Sequence, residues 1–221
     1  TSKDFQKEIK KYFNLKSFVH RQSLDIEGIK KRSREKVNFD FFKKYKHLKL
    51  INVGRLTDQK DLIILLKAFS KLVKIRKARL LIIGNGSDKE KLKLFIKNEK
   101  VLDNVKIIDF QSNPYKFISL ADVKVLTSKY EGNPNILLET ACIKKIIVSS
   151  NCKVGPNEIL QGGKGGMLFR VGDHNGLFNI LKNLNIRSKK IKKKINISSN
   201  YVKKNFKKDI SEPFINIINK L

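Results

Sequence analysis

Short apolar runs alternate with helical patterns along this 221-residue chain, and that alternation predicts an α/β fold. The runs at 48–53, 79–83, 105–108, 123–127 and 145–149 are short and rich in Ile, Leu and Val, as buried parallel strands are. Glycine or proline punctuates most of the turns that follow them. Together these predict a Rossmann-like, mostly parallel sheet of five to six strands with helices on both faces. No internal repeat is present.

Composition narrows the class. The length allows one core, or one plus a small appendage. No run approaches the ~18 apolar residues of a membrane span, and no signal-peptide pattern stands at the start. Cys142 and Cys152 lack metal or redox spacing and read as reduced, partly buried thiols of a cytoplasmic protein. Lys and Arg total 49 against 20 acids, net +29. That excess fits an anionic membrane face or anionic small ligands; a chain-wide bias towards Lys, Asn and Ile explains it equally well. Nucleic acid is disfavoured, because basic repeats studded with aromatics are missing.

The elements follow in order. Phe5, Ile9, Tyr12 and Phe13 have helical spacing over 3–13, with Ser2 as N-cap. Thr1-Ser2-Lys3 reads as a strand end entering that helix, as if cut from a longer chain. Residues 28–47 are basic and weakly periodic and read as a linker. The strand at 48–53 runs into Gly54-Arg-Leu-Thr-Asp-Gln-Lys60 and a helix over 61–76. Gly54 lets backbone turn close to a ligand; Arg55 offers a planar fork for phosphate and Lys60 a point charge. By itself this loop could equally be solvated basic surface.

The strand at 79–83 precedes Gly84-Asn-Gly86 and a helix over 88–98. Lys89 occupies the last glycine position of a dinucleotide fingerprint and no Gly-Lys-Ser/Thr follows, so this is a tight strand-to-helix turn that could also approach a bound ligand. After 105–108 come Asp109-Phe-Gln-Ser-Asn-Pro-Tyr115 and a short helix to 121. The strand at 123–127 leads to Glu131-Gly-Asn-Pro-Asn-Ile-Leu-Leu-Glu139, a turn running into a helix. Glu139 lies at i+4 from Asn135, on the same helix face. A helix N-terminus beyond a strand's carboxyl end suits an anion; the same turn is also ordinary strand-to-helix punctuation. A helix is read over 173–184. Six of the eight residues at 187–194 are basic, a solvated helix face or a contact for anionic headgroups. Residues 209–220 form an amphipathic pattern with Phe214, Ile217 and Ile218 inward.

Glu131 to Glu139 resembles the Glu-x7-Glu signature of group 1 retaining glycosyltransferases, which are built on two Rossmann-like domains (the GT-B type). Gly54-Arg-Leu-x-x-x-Lys60 resembles their diphosphate loop, Asn113-Pro-Tyr115 their base-proximal segment, and Ser23-Leu-Asp-Ile-Glu27 their interdomain crossover. Asp109 stands where the family usually has glycine, and Ile143-Lys-Lys145 where it has Gly-x-Pro. The resemblance implies a donor-binding half: 1–47 as the end of an N-terminal domain with its linker, 48–186 as the nucleotide-sugar domain, 187–221 as a basic segment and crossover helix. It implies that Arg55 and Lys60 neutralise the donor diphosphate and Glu131 faces the sugar, all three catalytic. Donor binding falls to Gly54, Gly132, Asn133, Asn135, Ile136, Leu137 and Glu139, with Phe110, Gln111 and Pro114 near the base. No metal or other cofactor is implied. The implied partners are a UDP-, GDP- or ADP-sugar, a sugar or lipid-linked acceptor met through the N-terminal domain, and an anionic membrane surface. The implied localisation is cytoplasmic, peripheral on the inner face of the plasma membrane. An epimerase, a phosphorylase or a sugar-nucleotide-binding module of the same architecture is the rival reading.

Overall fold

The structure, a computed structural model, describes residues 3–17, 19, 23–43 and 45–206. Six strands form one parallel sheet: β1 (Leu48–Val53), β2 (Ala78–Ile83), β3 (Val105–Ile108), β4 (Val123–Leu126), β5 (Ile146–Ser150) and β6 (Met167–Phe169). Their order is β3-β2-β1-β4-β5-β6. Between successive strands lie α3 (Leu62–Val73), α4 (Lys89–Asn98), α5 (Tyr115–Leu120), α6 (Asn135–Cys142) and α7 (Pro156–Ile159). After β6 come α8 (His174–Lys182) and α9 (Lys189–Asn205); α1 (Lys3–Phe13) and α2 (Ile26–Ser33) precede the sheet.

Both sheet faces are covered, which is why the strands read as continuous apolar runs. Leu50, Leu80, Val123 and Val148 face a core shared with α3, α4 and α8. Ile51, Leu81 and Ile83 face Phe117 and Ile118 of α5, and Leu126 and Ile147 face α6 and α9.

Three expectations change. Residues 28–47 hold much of α2, whose Ile29 is buried, and Phe39, Phe41 and Phe42 cluster edge-on near Phe117. Asp25 caps α2 by accepting from the Gly28 amide at 3.0 Å. The excess of lysine over this stretch masked its apolar positions. Second, α1 forms as spaced, yet none of its residues is buried, and Tyr12 and Phe13 stay exposed. Third, the basic run at 187–194 opens a 17-residue helix, α9, with Ile191 and Val202 turned inward. Lys194 also turns inward, donating to the carbonyls of Gly163 and Gly166. Thr1, the Ser2 cap and the 209–220 helix lie outside the described residues.

Candidate functional site

The sheet reverses direction between β1 and β4: from β1 the order runs out through β2 and β3, and from β4 through β5 and β6. At such a switch point the two outgoing loops diverge and leave a crevice beyond the carboxyl ends. Here those loops are 54–61 and 127–134, and they are laced together. The Lys129 amide donates to the Gln59 carbonyl at 2.9 Å, Gln59 Nε2 to the Tyr130 carbonyl at 3.0 Å, and Thr127 Oγ1 to the Lys60 carbonyl at 2.7 Å. Lys129 and Asp58 form an exposed ion pair at 2.6 Å.

Inside the lacing, Lys60 Nζ meets Glu131 Oε1 at 2.6 Å, with side chains only 17% and 8% exposed. Ser128 Oγ donates to the same carboxylate oxygen at 2.6 Å. Arg55 stays on the surface, donating to Gln59 Oε1 at 3.0 Å.

Glu139 projects from α6 on the other wall. Its carboxylate accepts from the Tyr115 hydroxyl, and the Arg32 guanidinium lies 4.8 Å over the Tyr115 ring. Burial raises the Glu139 pKa above the ordinary carboxylate range, and Tyr115, Lys124 and Arg32 oppose that rise. Burial and then Glu139 push Tyr115 up to about 12, so the phenol keeps its proton and remains a donor.

Glycines let the walls close. A Cβ on Gly84 (φ 147°) would sit 1.9 Å from the Gly54 carbonyl oxygen, and one on Gly86 2.2 Å from that of Leu56. The turn after β2 is therefore glycine-rich to pack under the loop after β1, and the Leu56 amide bonds the Asn85 carbonyl at 2.8 Å. This contact with protein backbone, rather than approach to a ligand, accounts for both glycines. Across the cleft, a Cβ on Gly155 (φ 96°) would strike the Pro134 ring at 2.4 Å.

Residues 33–197 match the family model described as glycosyl transferases group 1. The chain belongs to that family. It is 38% identical over 111 residues to the uncharacterized glycosyltransferase MJ1059 of Methanocaldococcus jannaschii, covering 50% of this chain and 27% of that protein. It is 27% identical over 162 residues to the Campylobacter jejuni N-acetylgalactosamine-N,N'-diacetylbacillosaminyl-diphospho-undecaprenol 4-alpha-N-acetylgalactosaminyltransferase, covering 73% and 42%. The matched part thus spans less than half the length of either relative. The crystal structure of Anabaena Alr3699/HepE in complex with UDP superposes with a TM-score of 0.76 at 17% identity, over 90% of this chain and 56% of that one. This likeness identifies the fold, the Rossmann-like half of the group 1 transferases.

Against that family pattern, the structure brings Gly54, Lys60, Glu131 and Ser128 to one wall of the crevice and Glu139 to the other. Lys60 is already paired with Glu131, so its charge is not free as the sequence implied. Asn133 Nδ2 donates to Asn135 Oδ1 at 2.9 Å, bracing the turn, while Gly132 meets nothing within 4 Å of a built Cβ. The amides of Asn135 and Leu137 are spent on the carbonyls of Asn133 and Pro134, both at 2.8 Å. An intrahelical bond from the Ile136 amide would need Gly132, which precedes the helix. Leu137 is wholly buried, so only its backbone borders the site. Phe110 is 72% exposed in the loop after β3, Gln111 donates to the Asp109 carbonyl at 3.3 Å, and Pro114 precedes α5. Asp109, in place of the usual glycine, pairs with Lys89 and fastens this loop to α4.

Sequence reading missed three site residues. Ser128 and Tyr115 stand inside or beside the motifs already singled out, yet nothing in the sequence shows that they bond Glu131 and Glu139. Lys124 did carry a signal: a lysine in the middle of an apolar strand. It is wholly buried, with Nζ 3.1 Å from the Val125 carbonyl and 3.5 Å from that of Val53. Burial, then the Lys60 charge, pulls its pKa down to about 7 against Glu131 and Glu139. Among the described residues no helix is long and apolar enough to cross a membrane, and no three His, Cys, Asp or Glu residues gather as metal ligands.

Proposed function

We propose that this chain is the donor-binding part of a retaining glycosyltransferase that takes a nucleoside-diphosphate sugar and acts in bacterial polysaccharide or glycolipid assembly. The carrying observation is the Lys60–Glu131–Ser128 cluster at the switch-point crevice, one helix face away from Glu139. The diphosphate would lie over the Gly54 loop, with Arg55 and Lys60 as counter-charge to the leaving group as the glycosidic bond breaks. The Ile136 amide at the start of α6 adds a donor there. Glu139 would accept from the ribose hydroxyls in exchange for Tyr115. Exposed Phe110 offers a face for the base, beside Gln111 and Pro114. Glu131 would face the donor sugar, where positive charge develops as the anomeric bond weakens.

The protein supplies its own cations, so donor binding needs no divalent metal. The acceptor, a sugar or lipid-linked sugar as named for the Campylobacter relative, would be met through a separate N-terminal domain. The exposed lysines of α9 (Lys189, Lys190, Lys192 and Lys193) would rest on anionic lipid at the cytoplasmic face of the membrane. A calorimetric screen of UDP-, GDP- and ADP-sugars in EDTA tests the reading. One of them should bind at millimolar concentration or below. Binding that appears only with Mg²⁺ or Mn²⁺, or no binding by the folded chain, would overturn it.

A further inference from the structure

The charged groups at the crevice nearly cancel. Glu131 offsets Lys60 at 2.6 Å, Glu139 is buried opposite, and Arg55 stands on the surface. A further charge is that of Lys124, which projects from β4 opposite Ile51 of β1. Its side chain is long enough to reach the carboxyl end of the sheet, where Nζ sits on the Val125 and Val53 carbonyls. Val53 is the residue before Gly54, so this ammonium lies directly beneath the proposed diphosphate loop. The Val125 carbonyl is also held by Asn52 Nδ2 at 2.9 Å, which ties the ends of β1 and β4 at the switch point.

The flanking strands set Ile51 and Ile147 beside Lys124, and the charged or titratable groups come from the loops and helices above them. Lys60 comes from the loop after β1, Glu131 from the loop after β4, and Glu139 from α6. Tyr115 of α5 bonds Glu139, and Arg32 of α2 covers Tyr115. With Lys124 protonated, three cations face two carboxylates in this constellation. With it neutral, the charges balance. A nucleotide sugar brings a doubly anionic diphosphate, so protonation of this one lysine adds a unit of attraction to that supplied by Arg55 on the surface.

We propose that Lys124 is a positioning residue of the donor site, whose buried ammonium underlies the Gly54 loop and adds a unit of positive charge to the crevice. It touches no ligand and acts through the field and through the Val53 carbonyl. The proposal rests on the donor-site reading above. Bound diphosphate favours the ammonium form, so donor affinity should fall as pH rises and Lys124 loses its proton.

The test is calorimetry with UDP-N-acetylglucosamine and GDP-mannose between pH 6 and 8.5. Their diphosphates are esterified at both ends and hold constant charge over that range. The tighter of the two should bind the wild-type chain roughly fivefold more weakly at pH 8.5 than at pH 6, a change of order one charge–charge interaction across a partly screened site. Lys124→Met keeps the stem and removes the charge. It should fold, bind at the weak high-pH level and show a flat profile. A Lys124→Met chain that retains the wild-type slope sinks the role of Lys124 and leaves the donor site standing. Failure of these two and of ADP-glucose to bind the folded wild type sinks both. Should the variant not fold, carbon NMR of lysine-labelled wild type decides: one Cε resonance should titrate near neutral pH, with a midpoint that rises when the sugar nucleotide is added. Absence of any lysine signal titrating below pH 9 would overturn the proposal.

Discussion

Replacing Glu131 by Gln separates a structural ion pair from a binding group, because the two readings give opposite signs. The carboxylate is 8% exposed and accepts from Lys60 and Ser128, both at 2.6 Å. Gln keeps the shape and one acceptor oxygen and loses the charge. A hydrogen bond to a charged group contributes ~1.5–3 kcal/mol, so stability should fall by about 1–3 kcal/mol. In a domain of this size that lowers the unfolding midpoint by roughly 2–10 °C. Binding should move the other way. Lys60 loses its neutralising partner and the crevice gains one unit of positive charge. At an effective dielectric of ~40 and a separation of roughly 7 Å, removing one unit of repulsion from a phosphate amounts to about 1 kcal/mol, or roughly fivefold in affinity. Bare UDP or GDP, titrated calorimetrically against both chains with melting curves alongside, measures the two effects. A folded Glu131→Gln chain that binds the nucleotide more weakly than wild type would refute the reasoning. Turnover by the full-length enzyme should nonetheless drop steeply, because the charge facing the sugar ring is gone.

Glu139→Ala should lower affinity for UDP and for UDP-sugars alike by about ten- to a hundredfold, since the ribose is common to both; calorimetry on the pair checks it. The same carboxylate sets an acid limit. Its folded pKa is raised, so its buried charge disfavours the empty fold once pH exceeds that value, and the ionised form needed for the ribose is lost as pH falls through it. Nucleotide affinity should therefore decline on acidification above the ordinary carboxylate range, and Glu139→Gln should abolish that decline. Gly84→Ala places a methyl 1.9 Å from the Gly54 carbonyl oxygen, and should cost about 1–3 kcal/mol in chemical denaturation while weakening nucleotide binding through the displaced loop. Replacing Lys189, Lys190, Lys192 and Lys193 with Gln should reduce co-sedimentation with anionic vesicles at least tenfold at ~0.15 M salt, at roughly 1 kcal/mol per charge. Lys194→Gln should instead lower the melting temperature with little effect on vesicles, because Lys194 bonds the Gly163 and Gly166 carbonyls.

The sequence by itself determined the order and nature of the elements from β1 to α8. Parallel strands buried on both faces must be apolar throughout, and their turns need glycine or proline, so composition along the chain reports them directly. It also singled out the loops of the candidate site, because Gly54–Lys60 and Glu131–Glu139 are local motifs with their chemistry contained in a few residues. What it could not supply was anything that depends on which strands become neighbours. The adjacency of β1 and β4, 70 residues apart in sequence, is a property of the closed sheet. That adjacency pairs Lys60 with Glu131 and drives Lys124 beneath Gly54, while the pairing of β1 with β2 makes Gly84 a packing glycine. Lysine-rich stretches misled for a related reason. A long aliphatic stem with a charged tip is read as surface, yet Lys194 and Lys124 bury that stem and direct the tip at backbone carbonyls that only the folded sheet and its covering helices present.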